Sequence, residues 1–252
     1  MNLFVKTLGE GRPLIILHGL FGSGDNWITH AREFANHFKV YLIDQRNHGH
    51  SPHSEEFSYK AMADDLLEFA AKENLRDMCI IGHSMGGKTA MYFALENAFL
   101  IDRVVIADMG IKQYKPHHEE IFKGLLAVDV ERCEGRKEAE ERLLPFIQET
   151  GTRQFLLKNL YWKEAGKLAW RFNLPVLFEK RDEIIRAIPE GKCDTPMLFL
   201  RGADSHYVTE NDFPAVLGQF PRASLETIDN AGHWLHADQP EEFRHRVLEY
   251  LL

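Results

Sequence analysis

Apolar residues are grouped along this chain in two alternating ways. Short unbroken blocks recur at Pro13-Leu14-Ile15-Ile16-Leu17, Val40-Tyr41-Leu42-Ile43, Met78-Cys79-Ile80-Ile81, Arg103 to Ala107 and Pro196-Met197-Leu198-Phe199-Leu200. Blocks of this kind predict strands buried on both faces. Between them the apolar positions take helical spacing. Trp27, Ala31, Phe34, Ala35 and Phe38 predict a helix from Trp27 to Phe38, and Met62, Ala63, Leu66, Leu67 and Ala70 predict another over residues 59–72. A third is expected from Lys88 to Ala98, and residues 3–6 alternate weakly. The β-α-β-α order predicts a mostly parallel sheet with helices on both faces.

The alternation breaks after residue 112. Residues 113–190 carry helical stretches, from His118 to Val128, Arg136 to Glu149 and Thr152 to Leu160, with no convincing strand among them. The sheet then resumes at Pro196. A helix from Asn211 to Gln219, a strand from Ala223 to Ile228 and a helix from Pro240 to Leu252 follow. The expected organisation is a core of residues 1–112 and 191–252, interrupted by a helical cap, or lid, of residues 113–190. Such an insertion belongs beyond the carboxyl ends of the strands, where open α/β sheets hold their ligands.

Composition narrows the class of function. At 252 residues the chain can build one sizeable core. The formal charge of −8, spread without a basic patch, gives no reason to expect nucleic acid as a partner. No stretch approaches the ~20 apolar residues of a membrane span, and MNLFVKTLGEGRP lacks the apolar core of a signal peptide. Cys79, Cys133 and Cys193 are too widely spaced for a metal-binding pair, so three reduced thiols are expected. The chain is therefore expected in the cytoplasm, with no membrane partner, metal or cofactor. Both a monomer and a homodimer stay open.

One stretch concentrates the chemistry. In CIIGHSMGGKTA, residues 79–90, the pattern G-x-S-x-G spans Gly82-His83-Ser84-Met85-Gly86 between a predicted strand and a predicted helix. That context makes Ser84 a candidate nucleophile on a strained turn whose neighbours must lack bulk. A serine needs a base. Of thirteen histidines, His233 in Asn230-Ala231-Gly232-His233-Trp234 follows the final strand, where a loop reaches the top of the sheet. His83 is expected to pack under the turn, and His236 to face away. The Met85 N–H is one candidate oxyanion donor. The glycine-rich loop His18-Gly19-Leu20-Phe21-Gly22-Ser23-Gly24 offers a second, from Leu20 or, failing that, Phe21.

Two carboxylates compete for the third place in the triad. Asp108 ends the strand after the nucleophile helix. Asp204 follows the strand from Met197 to Leu200 but stands one residue early, in Gly202-Ala203-Asp204-Ser205, so that a serine fills the usual acid position. Phe21, Trp162, Trp170, Phe172 and Trp234 are candidate walls of an apolar substrate pocket. Asp44 and Arg46 are expected to form an ion pair beneath the site, and Asp25 and Asn26 to cap the helix at Trp27.

Taken together, these segments resemble the α/β-hydrolase superfamily over essentially the whole chain. Within it, RNHGHS at residues 46–51, GHSMGGK at residues 82–88 and Trp170-Arg171-Phe172-Asn173 resemble the YbfF-type esterases. The resemblance implies an eight-stranded, mostly parallel sheet with a helical lid, and carboxylester hydrolysis; the lid aromatics suggest short to medium acyl chains. It also implies an acid on the earlier strand, favouring Asp108. Acyl-thioester cleavage, or other α/β-hydrolase chemistry such as C–C bond hydrolysis or cofactor-free haloperoxidation, would use the same groups. A ligand receptor on the same fold is the non-enzymatic alternative.

Overall fold

The unbroken apolar blocks become the interior strands of one sheet. The computed structural model describes every residue from Met1 to Leu252. In chain order the elements are β1 (Val5–Leu8), β2 (Arg12–Leu17), α1 (Ile28–Phe34), β3 (Phe38–Ile43), α2 (Tyr59–Lys72), β4 (Met78–His83), α3 (Met85–Asn97) and β5 (Ile101–Ala107). Next come α4 (Glu119–Ala127), α5 (Arg136–Leu143), α6 (Thr150–Leu157), β6 (Leu160–Glu164), β7 (Lys167–Trp170), α7 (Leu174–Glu179) and α8 (Arg181–Ile185). The chain closes with β8 (Met197–Gly202), α9 (Phe213–Gln219), β9 (Ala223–Ile228), α10 (Leu235–Asp238) and α11 (Pro240–Leu251).

The sheet order is β1-β3-β2-β4-β5-β8-β9, with only β1 antiparallel. Strand β4, the last four residues of β5 and the first four of β8 are buried, because helices cover both faces of the sheet. One apolar cluster, including Ile15, Ile80, Phe93 and Phe199, fills one face. A second, including Leu14, Trp27, Leu198 and Phe243, fills the other. Helix α2 starts where the Ser58 hydroxyl accepts the Ala61 N–H, and it buries Met62, Leu66 and Phe69.

The sheet has seven strands, not the expected eight. The remaining strand-forming sequence lies between β5 and β8, and it pairs with itself. Strands β6 and β7 form a separate hairpin turned at Gly166, with Leu160 opposite Trp170. Residues 113–190 thus contain strands where only helices were expected, since the alternation of Leu160, Trp162 and Leu168 spans too few residues to stand out. Two predicted helices are also shorter. The first ends at Phe34, because Phe38 is already paired with Arg12 in the sheet. The second ends at Leu143, just before Pro145, which cannot continue a helix.

A narrow neck joins the insertion to the sheet. Tyr114 N–H donates to Ile185 O at 2.8 Å, and Ile188 N–H to Ile111 O at 3.0 Å. Beneath it lies Lys88 of α3, fully buried, whose Nζ donates to Lys112 O (3.1 Å), to Arg186 O and, at 3.4 Å, to Ile185 O. No carboxylate neutralises it. Burial pushes its pKa down to about 7, while three carbonyls and the face of Tyr114, 4.7 Å away, favour the ammonium form.

Candidate active site

Parallel register brings three chain ends to one edge of the sheet. Gly82 pairs with Ile106, His83 with Ala107, and Ala107 with Leu200. Ser84 therefore leaves β4 beside Asp108 leaving β5, and β8 ends next to Asp108. Ser84 N–H is tied to Ala107 O at 3.1 Å and Asp108 N–H to Leu200 O at 2.8 Å. Both residues turn sharply there, Ser84 at φ 53° and Asp108 at φ 49°. Left-handed non-glycine residues persist only where their surroundings hold them, and they gather at functional sites.

The elbow depends on its glycines. A Cβ on Gly82 would run into the Gly86 carbonyl and come within 2.8 Å of Gly87 Cα. A Cβ on Gly86 would strike Leu17 O and lie 2.7 Å from His18 O. Without either side chain, α3 starts directly under Ser84. The Met85 N–H, first in that helix, has no partner within the chain.

His233 completes a chain of hydrogen bonds. Its Nε2 lies 3.0 Å from Ser84 Oγ and its Nδ1 2.7 Å from Asp108 Oδ2. Asp108 is fully buried, and it also accepts Gly202 N–H at 3.2 Å and the Ser205 hydroxyl. With Nδ1–H directed at a carboxylate, Nε2 is left as the acceptor for the serine proton. Asp204 is not part of this set. Its side chain is exposed, and the β8 loop turns the neighbouring Ser205 inward instead. The serine in the usual acid position is thus the group that braces the carboxylate arriving from β5.

The candidate oxyanion loop is a tight turn. Gly22 N–H donates to Gly19 O at 3.0 Å, with Leu20 and Phe21 between them. Neither Leu20 N–H nor Phe21 N–H has a partner within the chain. From below, His18 Nε2 accepts Gln45 N–H at 3.0 Å, so its Nδ1 carries the proton and donates to Gly19 O. Burial pushes the His18 pKa down to about 4, which keeps this tautomer uncharged.

The other histidines take structural places. His83 is buried with Nε2 2.8 Å from His233 O, and burial first, then the neighbouring histidines, push its pKa well down. His236 stacks on Trp27 at 4.4 Å. Two minor expectations need correcting. Arg46 pairs with Asp65, through Nε at 2.7 Å and an Nη at 3.0 Å, while Asp44 instead accepts Gly24 and His50 N–H groups. The turn before α1 is capped by Ser23 with Asn26, whereas Asp25 pairs with Lys6. Arg46 reaches past Asp44 because backbone N–H groups already occupy both Asp44 oxygens.

Of the aromatic candidates, Phe21 and Phe172 are buried against each other at 4.9 Å, and Trp170 stacks on Phe172. Trp234 is half-buried beside Phe155. Trp162 departs from expectation, being 54% exposed on the β6–β7 hairpin. Three participants escaped sequence reasoning. Tyr207 stacks on the His233 ring at 3.8 Å, Asn159 bonds the oxyanion loop, and Lys88 holds the neck. Only Lys88 left a trace, as a lone cation in an apolar helix face. No group of three or more His, Cys, Asp or Glu side chains converges as a metal site, and no helix is long and apolar enough to cross a membrane.

Residues 12–144 match the family model described as the alpha/beta hydrolase fold. The chain belongs to the α/β-hydrolase family. It is 36% identical to esterase YbfF of Escherichia coli over 95% of this chain and 92% of that protein. Its identity to the sn-1-specific diacylglycerol lipase of Mus musculus is 37%, over 94% of this chain and 80% of the relative. Among solved structures it resembles a marine microorganism esterase with a TM-score of 0.96 and 44% identity, over 99% of each chain. The relatives named above carry esterase and lipase names.

Proposed function

We propose that this α/β-hydrolase is a serine carboxylester hydrolase acting through an acyl-enzyme on Ser84, with residues 113–190 as a cap over the site. The observation that carries the reading is the unbroken hydrogen-bond chain from Ser84 Oγ through His233 to buried Asp108. Ser84 Oγ attacks the ester carbonyl as His233 Nε2 takes its proton. The N–H groups of Met85 and Leu20 (or Phe21) receive the developing oxyanion. Asp108 holds the imidazole tautomer and stabilises the imidazolium. His233 then protonates the leaving alcohol, and water repeats the cycle on the acyl-serine.

The acyl side is apolar. Leu20, Phe21 and Met85 belong to the same buried cluster as Phe122, Leu125, Val130 and Phe172 of the insertion. An acyl chain directed there would leave water for apolar surface, at about 25 cal/mol per Å² buried. Short to medium acyl groups are the expected substrates. The test is a chain-length series of p-nitrophenyl esters beside matched acyl-CoA thioesters, with Ser84→Ala as control. Ester turnover that disappears in the variant supports the reading. A strong preference for the thioesters would move it to a thioesterase, and full activity without Ser84 would end it.

A further inference from the structure

Phe21 occupies a place built for glycine. It is the third residue of the Gly19–Gly22 turn and stands at φ 59°. A turn with positive φ at that position is of type II, which favours Gly or Asn there. A phenylalanine is strained in it and relaxes toward negative φ unless something holds it. Relaxation rotates the peptide between Leu20 and Phe21, the peptide that carries one of the two free N–H groups of the loop.

The side-chain hydrogen bond to Phe21 and both of its aromatic ring contacts come from the insertion. Asn159 Nδ2 donates to Phe21 O at 2.8 Å, although 138 residues separate them. Asn159 is itself buried and fixed, since its Nδ2 also reaches Leu156 O at 3.2 Å and its carbonyl accepts Arg171 N–H at 2.9 Å. The Phe21 ring is gripped edge-on by Phe122 at 5.3 Å and tilted against Phe172 at 4.9 Å. The hydrogen bonds that the sheet side makes to this loop fall at Gly19 and His18, one turn earlier.

We infer that Asn159 is a positioning residue for the oxyanion loop, so that the donors are aimed only while the insertion is seated on the sheet. The inference rests on the hydrolase reading above. It makes the insertion part of the catalytic apparatus as well as a cover. The Ser84–His233–Asp108 chain lies outside this linkage and keeps its geometry when Asn159 is changed.

The experiment compares Asn159→Leu with the wild type on p-nitrophenyl butyrate and measures inhibition by butylboronic acid, whose tetrahedral adduct on serine places an oxygen where the oxyanion forms. Misaiming the donors should lower kcat about 10–100-fold, leave KM within about threefold and weaken boronate inhibition by a similar factor to kcat. A role confined to packing would lower the thermal midpoint while both constants held at temperatures well below melting, and that result overturns the inference. A fall in kcat without weaker boronate binding overturns it as well. If Asn159→Leu does not fold, Asn159→Ala, smaller and with no donor toward Phe21 O, is read in the same way. Failure of the wild type to react with a fluorophosphonate at Ser84 would instead count against the hydrolase reading.

Discussion

The carboxyl edge of the sheet and the insertion that packs on it are built under opposite constraints. At the edge, β4, β5 and β8 are buried on both faces and paired in fixed register, so the positions of Ser84 and Asp108 follow from backbone hydrogen bonds. The insertion is made of short helices and one isolated hairpin, and it shows Leu126, Leu144, Trp162 and Phe178 to solvent. It meets the core through few groups, chiefly Asn159, Phe122 and Phe172 at Phe21 and the neck carbonyls that accept Lys88 of α3. On the proposed reading the labour divides: the sheet would fix which atoms react, and the insertion would govern how well the oxyanion loop is aimed and which acyl groups fit.

This division can be broken most severely at the edge. Ser84→Ala should lower kcat on any ester by on the order of 10⁵–10⁶-fold, whatever the acyl chain, as measured by steady-state assay. A substrate-dependent loss would mean that the chemistry is shared with the insertion.

Acid should unfold the edge next. Burial lowers the pKa of His18 and His30 to about 4 and of His48 and His236 to about 3. The unfolded chain therefore binds more protons than the folded one between those values and 6.5. Stability is full above about 6.5 and falls as the pH drops through that window, by roughly 1.4 kcal/mol per histidine for each unit. Denaturant titrations at pH 7.5, 6 and 5 should show this slope, and a flat profile would remove the buried neutral histidines from the account.

Asp108→Asn should cost ~10²–10⁴-fold in kcat, by comparison with triad acids elsewhere. Asp204→Asn should stay within about threefold, because that carboxylate is exposed and away from His233. Reversed outcomes would mean that the β8 loop supplies the acid.

Lys88→Met tests the join between the two regions. It leaves Lys112 O and Arg186 O without the Lys88 donor, while Ile185 O keeps the Tyr114 N–H, which should reduce stability by about 3 kcal/mol in denaturant unfolding while the Ser84–His233 distance is preserved. The smallest effect is expected at Trp162→Ser. An exposed residue of the hairpin should change turnover of a short ester by less than about twofold and stability by under ~0.5 kcal/mol.

Much of this arrangement was legible in the chain. Ser84 was marked by glycines at fixed spacing between an apolar block and a helix, because an elbow leaves no room for side chains on either side of it. His233 was marked by its place after the last strand. The insertion was legible as a break in alternation but not in its content. The β6–β7 hairpin is too short and too exposed for its alternation to register, and Pro145 cut a helix that apolar spacing alone extended to Glu149.

The sequence by itself determined the strand order along the chain, the nucleophile turn and the histidine that could reach it, because these rest on local sterics and on burial periodicity. Only the tertiary structure decided which carboxylate meets His233, that Ser205 braces it, that seven strands share the sheet, and that Asn159 holds Phe21 from 138 residues away. Those outcomes depend on register and on side chains converging from distant segments, and neither leaves a periodic trace along the chain.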